Sequence, residues 1–235
     1  MGRVIAFIPV RGGSKSIPSK NIKPLCGKPL VYWNLAALQK TDAVDEVVVA
    51  TDSDEIETVV SGFSFSKAVV FRRSAGNATD TASTESVMLE YLGQAGHAGD
   101  DVFILVQATS PLTQPEHFGE ALSVFSSGVY DSLLSCVRIK RFLWNPDGTP
   151  KNYDYRHRPR RQNFEGELME NGAFYISTVE KILQSKNRLN GRIGIYEMPE
   201  YTATEIDEPR DWLVMEQLMH SMMTIPGQVG PDYFL

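Results

Sequence analysis

The chain of 235 residues has the composition of a globular protein, with 42% hydrophobic and 22% charged residues. This composition excludes disordered, collagen-like and coiled-coil chains, and the length fits one large domain or one domain with an insertion. A formal net charge of -6 and a pI near 5.3 argue against a general nucleic-acid or membrane-surface binder, so an anionic ligand requires a local basic cluster.

The cysteines and the N-terminal segment bear on the cellular compartment. Cys26 and Cys136 are far apart and belong to no CxxC or Cys/His cluster, which supports neither a disulfide framework nor a thiolate metal site. The apolar N-terminal run is followed at once by Arg11, and it is too short for a membrane span and unlike a signal peptide. We therefore expect reduced thiols and a cytoplasmic protein.

Short β-branched runs alternate with segments of helical periodicity, as in βαβ units on a largely parallel sheet. Strands are predicted at 3–9, 46–50, 68–71, 102–106, 132–138, 173–176 and 193–197. Helices are predicted at 29–39, 54–61, 81–92, 115–126, 179–184 and 208–222. Ser53 and Ser83 are placed as N-caps. Pro29, Pro115 and Pro209 suit first helical turns. The expected fold is a three-layer α/β sandwich with a mostly parallel sheet.

Residues 140–168 interrupt this alternation. Asp147 and Gly148 form a turn signal, Trp144 precedes them, and a basic run follows at 156–161. We interpret the segment as a hairpin-like insertion that leaves the sheet and returns. Such an arm commonly packs on another surface, so a homodimer is expected. The predicted division is a main domain at 1–139 and 169–225, the arm at 140–168 and an irregular tail at 226–235.

A glycine-rich basic loop follows the first predicted strand and reads RGGSKSIPSKN, from Arg11 to Asn21. Paired glycines let backbone N–H groups face an anion, and Lys15 and Lys20 add charge. The loop is neither a P-loop nor a dinucleotide fingerprint, because GxxxxGK[ST] and GxGxxG do not occur. Ligands of open α/β sheets bind beyond the carboxyl ends of strands. The sequence thus predicts a triphosphate site here, and a solvated glycine loop is the alternative.

Other polar residues follow later predicted strands. Asp52 could face the same crevice or cap the next helix. Ser83 or Asp80 could cap the third helix. Gln107 follows a wholly apolar strand, where a side chain can hydrogen-bond sugar hydroxyls or an amide, or can tie down the turn at 109–111.

Two carboxylates flank Ile206 ahead of the last predicted helix. Glu205 and Asp207 at i and i+2 suit Mg²⁺, which takes its other ligands from water and phosphates. Helix capping by Asp207 is the alternative. The four histidines lie away from these motifs, so no general base is assigned.

Taken in order over residues 3–215, these segments resemble the signature of the CMP-sialic acid synthetases, the acylneuraminate cytidylyltransferases. The similar segments are RGGSKSIPSKN, KPL at 23–25, GKPL at 27–30, ATDS at 50–53, Arg72 with DTAS at 80–83, VQATSPL at 106–112, RQ at 161–162, ENGAFY at 170–175 and EID at 205–207.

This resemblance implies a Rossmann-like nucleotidyltransferase fold, a homodimer, and a Mg²⁺-dependent reaction of CTP with a nine-carbon α-keto sugar acid to give the CMP-sugar and pyrophosphate. It makes Arg11, Lys20 and Asp207 catalytic. The expected nucleotide-binding residues are Arg11, Gly12, Gly13, Ser14, Lys15, Lys20, Asn21, Arg72 and Ser83. The expected sugar-acid contacts are Gln107, Arg161 and Tyr175, and the expected metal ligands are Asp207 and Glu205. The family usually has Asp at both metal positions, so Glu205 is a departure.

Two alternatives remain beside this interpretation. CMP-Kdo synthetases share the fold and resemble the first loop, but they carry an acidic residue where this chain has Thr109, which favours the sialic-type branch. A nucleotide-binding module without catalysis is the second alternative. Arg161 could serve its own active site or that of a neighbouring subunit, and Tyr175 could pack rather than bind.

Overall fold

The structure is a computed structural model that describes residues 2–79 and 81–224. In these residues the strands are β1 Val4–Pro9, β2 Pro24–Leu25, β3 Lys28–Pro29, β4 Glu46–Thr51, β5 Ala68–Arg72, β6 Val102–Val106, β7 Ser132–Ile139, β8 Glu167–Thr178 and β9 Ile193–Met198. The helices are α1 Leu30–Lys40, α2 Asp54–Ser61, α3 Thr84–Ala95, α4 Pro115–Phe125, α5 Val179–Ser185 and α6 Pro209–Thr224. The predicted tail at 226–235 and the capping role of Asp80 lie outside the described residues.

Seven strands form one sheet in the order β5-β4-β1-β6-β8-β7-β9, and β2 pairs with β3 in a small separate hairpin. Strands β5, β4, β1 and β6 run parallel, and β9 runs parallel to β7. Strand β8 runs antiparallel to both β6 and β7. The mostly parallel sheet expected from the sequence is confirmed, with β8 as the reversed strand.

Helices cover both faces of the sheet. Helices α1, α2, α4 and α6 bury side chains such as Trp33 and Phe118 on one face, and α3 and α5 pack on Phe7 and Phe103 on the other. Because both faces are covered, β1 and β6 are almost continuously apolar, as buried parallel strands are. The three-layer sandwich is confirmed.

The ends of several elements follow local chemistry. Helix α3 begins at Thr84 rather than at residue 81 because Ser83 is the N-cap and accepts a hydrogen bond from the N–H of Ser86 at 3.1 Å. Ser53 caps α2 in the same way. Strand β8 begins at Glu167, earlier than predicted, because its first half carries polar residues that hide the apolar pattern.

The segment between β7 and β8 contains a hairpin. Trp144 and Pro150 form an antiparallel bridge, and Gly148 adopts a positive φ of 83° in the turn. Phe142 lies with its ring centroid 4.3 Å from that of Tyr153, which anchors the base of the hairpin. The turn signal in the sequence therefore gives a local hairpin at the predicted place.

Within residues 2–79 and 81–224, no helix is both long and apolar enough to cross a membrane.

Candidate active site

A cavity of about 320 Å³ opens beyond the carboxyl ends of β1 and β6. This is the edge of an open α/β sheet where ligands bind. Its lining comes from widely separated parts of the chain: Pro9, Arg11, Lys20, Asn21, Arg73, Thr79, Ala82, Ser83, Thr84, Val87, Gln107, Ala108 and Thr109. Five residues predicted for the site, Arg11, Lys20, Asn21, Ser83 and Gln107, are among them.

The glycine-rich loop is held against the end of β4. The N–H of Gly12 donates to Oδ1 of Asp52 at 2.9 Å, and a Cβ at residue 12 would lie 2.9 Å from Cβ of Ser53, so this close approach requires glycine. On the other side, Nδ2 of Asn21 donates to the carbonyl of Arg11 at 3.0 Å. Asp52 therefore fastens the loop, whereas Ser53 supplies the helix cap that was the alternative role for Asp52.

Lys20 joins the loop to the acidic segment near the C-terminus. Its Nζ donates to the carbonyl of Ile206 at 2.9 Å and lies 3.4 Å from Oδ1 of Asp207. Ile206 is fully buried, and its N–H donates to the carbonyl of Thr109 at 3.0 Å. The acidic segment is thereby fixed beside the cavity from two sides.

The two carboxylates of this segment have different surroundings. Glu205 is half-buried against Gly172, where a Cβ would come within 2.7 Å of Oε1, and Gly172 adopts a φ of 64°. Burial, followed by repulsion from Asp207, raises the pKa of Glu205 to about 7. The side chain of Asp207 is 68% exposed.

Capping does not explain Asp207. The N–H groups of Asp207 and Glu208 both donate to Oδ2 of Asp211, at 3.1 and 2.8 Å. Asp211 thus satisfies the start of α6, and the carboxylate of Asp207 remains directed to Lys20.

Glu205 and Asp207 are the carboxylates expected to hold a magnesium ion. Within the described residues, no group of three or more His, Cys, Asp or Glu side chains is arranged as a metal site. Mg²⁺, however, is commonly held by one or two carboxylates together with substrate phosphates and water. The pKa of Glu205 is raised mainly by burial and secondarily by repulsion from Asp207, and a nearby cation would offset that repulsion.

The structure places Arg73, rather than Arg72, at the cavity. Arg72 forms ion pairs with Asp54 and Glu57 of α2, on one face of the sheet. Arg73 lines the cavity, its Nε donates to the carbonyl of Ala50 at 2.9 Å, and burial lowers its pKa. Because side chains alternate along a strand, an error of one residue exchanges the two faces.

Ser83 and Gln107 both line the cavity. Ser83 and Thr84 lie at the N-terminus of α3, where N–H groups and the helix dipole favour partial negative charge. The backbone of Gln107 donates to Ala173 at 3.0 Å and accepts from Ser110 at 3.2 Å. The backbone therefore ties the following turn, so the side chain of Gln107 is not needed for that role.

Other predicted site residues do not line the cavity. Tyr175 is buried in the core beneath α3 and α5, and its hydroxyl donates to Glu170. Arg161 is exposed, and its guanidinium lies 3.2 Å from Oε1 of Glu200. Within the basic loop, Gly12, Gly13, Ser14 and Lys15 are likewise outside the lining.

The histidines also lie elsewhere. His117 is buried at the start of α4, where its Nδ1 accepts from the N–H of Gln114 at 3.1 Å. His97 contacts the hydroxyl of Tyr91, and His157 pairs with Asp154. Within the described part of the chain, no histidine lines this cavity.

Sequence reasoning missed Arg73 and three threonines, Thr79, Thr84 and Thr109. The two consecutive arginines are a signal, because side chains alternate along extended chain and Arg73 directly follows the last residue of β5. The threonines carry no comparable signal, since a threonine in a loop is common without any ligand.

A cavity beyond the carboxyl ends of parallel strands, bordered by a basic glycine-rich loop, is typical of Rossmann-like α/β proteins that bind nucleotides, although Glu205 and Asp207 do not line it. The sequence model of the family described as "Cytidylyltransferase" matches residues 5–207. The chain belongs to this family.

Several curated proteins are similar to this chain. N-acylneuraminate cytidylyltransferase B of Danio rerio is 42% identical over 219 residues, which cover 90% of this chain and 50% of that protein. N-acylneuraminate cytidylyltransferase of Oncorhynchus mykiss is 40% identical, covering 91% and 50%. CMP-N,N'-diacetyllegionaminic acid synthase of Legionella pneumophila is 29% identical, covering 92% and 96%. The chain therefore spans about half the length of the fish proteins that it matches.

Solved structures show the same fold. A CMP:2-keto-3-deoxy-manno-octonic acid synthetase complexed with CTP has a TM-score of 0.70 at 20% identity, covering 93% of this chain and 99% of that chain. A 4-diphosphocytidyl-2C-methyl-D-erythritol synthase of Anaerococcus prevotii has a TM-score of 0.65 at 10% identity, covering 93% and 96%. At these identities the similarity supports the fold alone.

Proposed function

We propose that the chain transfers CMP from CTP to a nine-carbon α-keto sugar acid, an N-acylneuraminate or related nonulosonate, and releases pyrophosphate. The observation that carries this proposal is the cavity itself, because it gathers Arg11, Lys20, Ser83 and Gln107 from separate parts of a chain in the cytidylyltransferase family. The names of the relatives in fish and in Legionella, which concern neuraminic and legionaminic acids, support this acceptor class.

In this reaction the anomeric hydroxyl of the acceptor attacks the α-phosphorus, and the bond from that phosphorus to the β-phosphate oxygen breaks. Negative charge then builds on the departing pyrophosphate. Arg11 and Lys20 are the basic residues of the glycine-rich loop that line the cavity, and they would stabilise that charge. The bond from the N–H of Gly12 to Asp52 fixes the start of the loop, and the backbone N–H groups that follow would contact the phosphates. Gly13, Ser14 and Lys15 remain proposed phosphate contacts of the same loop.

The nucleoside would be held by the part of the cavity lining that contains Ser83 and Arg73. Ser83, the N-cap of α3, lines the cavity, and Arg73 supplies a half-buried guanidinium. We propose Arg73 for the nucleotide-binding role that the resemblance gives to Arg72. Gln107 would orient the acceptor, because a carboxamide both donates to and accepts from sugar hydroxyls.

Glu205 and Asp207 would hold Mg²⁺ beside the phosphates. When bound, the ion supplies positive charge that neutralises phosphate oxygens. Lys20 already places Asp207 next to the cavity wall, which supports this assignment.

The assembly and location remain predictions. We expect a homodimer formed through the arm at 140–168, with Arg161 binding the carboxylate of the sugar acid by a bidentate guanidinium. Tyr175 remains a proposed sugar-acid contact that the cavity lining does not support. The cytoplasmic location is tested by cell fractionation.

The deciding experiment combines calorimetry with CTP and Mg²⁺ with a pyrophosphate-release assay over a panel of sugar acids. Release with a nonulosonic acid is the expected result. Release with Kdo alone would establish the Kdo alternative, and CTP binding without release from any acid would establish a non-catalytic module.

A further inference from the structure

A hydroxyl in the cavity wall is buried without a partner. Oγ1 of Thr109 is inaccessible to solvent and has no hydrogen-bond partner among the described residues, although Thr109 lines the cavity. Leaving a buried hydroxyl unpaired costs free energy, and such groups in folded proteins are nearly always paired. Rotation of the Thr109 side chain to another staggered χ1 rotamer would turn this hydroxyl to the cavity, where a bound ligand would supply the missing partner.

Thr109 lies between two parts of the proposed site. Gln107, on the same turn, lines the cavity two residues earlier. The carbonyl of Thr109 accepts from the N–H of Ile206 at 3.0 Å, which places Thr109 beside the segment that carries Glu205 and Asp207. A ligand atom near the Thr109 hydroxyl would therefore lie between the proposed acceptor contact and the proposed metal ligands.

The same turn offers two internal comparisons. Oγ of Ser110 is also buried without a partner among the described residues, but Ser110 does not line the cavity. Oγ1 of Thr113 is buried and donates to the carbonyl of Ser110 at 3.0 Å. Among the residues that the structure describes, the Thr109 and Ser110 hydroxyls are both unpaired but only Thr109 lines the cavity, whereas the Thr113 hydroxyl is paired within the protein and Thr113 does not line the cavity.

We propose that the Thr109 hydroxyl hydrogen-bonds an oxygen of the acceptor sugar acid and contributes to acceptor affinity. This inference rests on the proposed function. The acceptor is favoured over CTP because a neutral hydroxyl next to the Gln107 carboxamide suits a polyhydroxy ligand. The charged oxygens of the triphosphate are matched instead by Arg11 and Lys20.

Thr109→Val tests this inference because it removes the hydroxyl and keeps the shape. We expect the KM for the acceptor to rise about five- to tenfold, the loss of one neutral hydrogen bond, with kcat and the Kd for CTP within about twofold of wild type. The melting temperature of the free protein should be unchanged or higher, because an unpaired polar group has been removed. Thr109→Ser, which restores a hydroxyl, should recover most of the acceptor affinity.

The controls come from the neighbouring hydroxyls. Ser110→Ala should leave the acceptor KM unchanged. Thr113→Val should lower the melting temperature, because it leaves the Ser110 carbonyl without that donor, but should leave the acceptor KM near wild type at temperatures well below unfolding.

Three results would overturn the inference: an unchanged acceptor KM in Thr109→Val, an equal loss of CTP affinity, or a destabilised free protein. Failure of the proposed function is distinguishable from these outcomes. A wild-type protein inactive with every nonulosonic acid would overturn the function and the inference with it, whereas an active wild type with an unaffected Thr109→Val overturns the inference alone.

Discussion

Arg72 and Arg73 are adjacent in sequence, yet one pairs with acids of α2 and the other reaches the cavity. The reason is the alternation of side chains along an extended chain. Arg72 does not line the cavity, so it should contribute little to ligand affinity. Its exposed ion pairs with α2 are also weak. The half-buried Arg73 is placed to make charge-assisted hydrogen bonds, which are roughly twice as strong as neutral ones.

We therefore predict that Arg73→Ala raises the Kd for CTP by about tenfold or more, measured by calorimetry. Arg72→Ala is the matched control, because it removes an identical side chain one residue away, and it should leave the Kd within about twofold. The reverse pattern would return the assignment to Arg72.

Lys20 is the second residue whose surroundings set a clear expectation. Its ammonium group both lines the cavity and holds the segment that carries Asp207. Lys20→Ala should lower the rate of pyrophosphate release on the order of 100-fold or more, because charge on the departing phosphate loses its stabilising cation. Lys23→Ala is the matched control, because Nζ of Lys23 lies over the Trp212 ring, 4.5 Å from its centroid. Nearly full turnover in Lys20→Ala would contradict the phosphate assignment.

At the scale of an element, the start of α4 links stability to pH. His117 and Gln114 form a reciprocal cap, and burial lowers the pKa of His117. The folded state thus holds a neutral imidazole, whereas the unfolded chain takes up a proton below a pH of about 6.5. Because the unfolded state binds more protons there, folding stability decreases as the pH falls from about 6.5 towards the lowered pKa of the folded state.

We expect urea unfolding midpoints of the wild type to fall more than those of His117→Asn between about pH 7.5 and about pH 5.5. Asparagine keeps an acceptor for the Gln114 N–H but does not titrate. Comparing the two proteins cancels the carboxylates common to both. An equal decrease in the two proteins would show that His117 is not the group responsible.

Element positions were predictable wherever an apolar run or a cap fixed them. Strand β6 is wholly buried and was predicted to the residue, and Ser53 and Ser83 cap their helices as expected. The first half of β8 was missed because its polar residues follow no period that distinguishes strand from loop. The site was predictable where charge and glycine coincide, as at Arg11, and unpredictable at Thr109, since burial of one hydroxyl is a tertiary property.

At the scale of the whole molecule, Arg161 of the arm could act in the site of its own subunit or in the site of its partner in the expected homodimer. Arg161 is exposed and does not line the cavity of its own chain, so we predict that it acts in the partner's site. Mixing Lys20→Ala with Arg161→Ala subunits then gives heterodimers with one intact site. After subunit exchange, equal amounts should recover about a quarter of wild-type turnover, although each variant alone is impaired.

No recovery, in a mixture shown by mass spectrometry to contain heterodimers, would show that each site takes Lys20 and Arg161 from the same subunit. A wild-type protein that sediments as a monomer at micromolar concentration would contradict the dimer itself.

The bond from Lys20 to Ile206 joins residues 186 positions apart. During synthesis the glycine-rich loop leaves the ribosome long before the acidic segment exists, so the proposed site cannot be completed until the chain has been made beyond residue 206. Contacts of such large sequence separation form late and slow folding, since the intervening chain must first be ordered. The proposed activity would therefore appear only at the end of folding, and a chain cut short before residue 206 would lack the carbonyl group that holds Lys20.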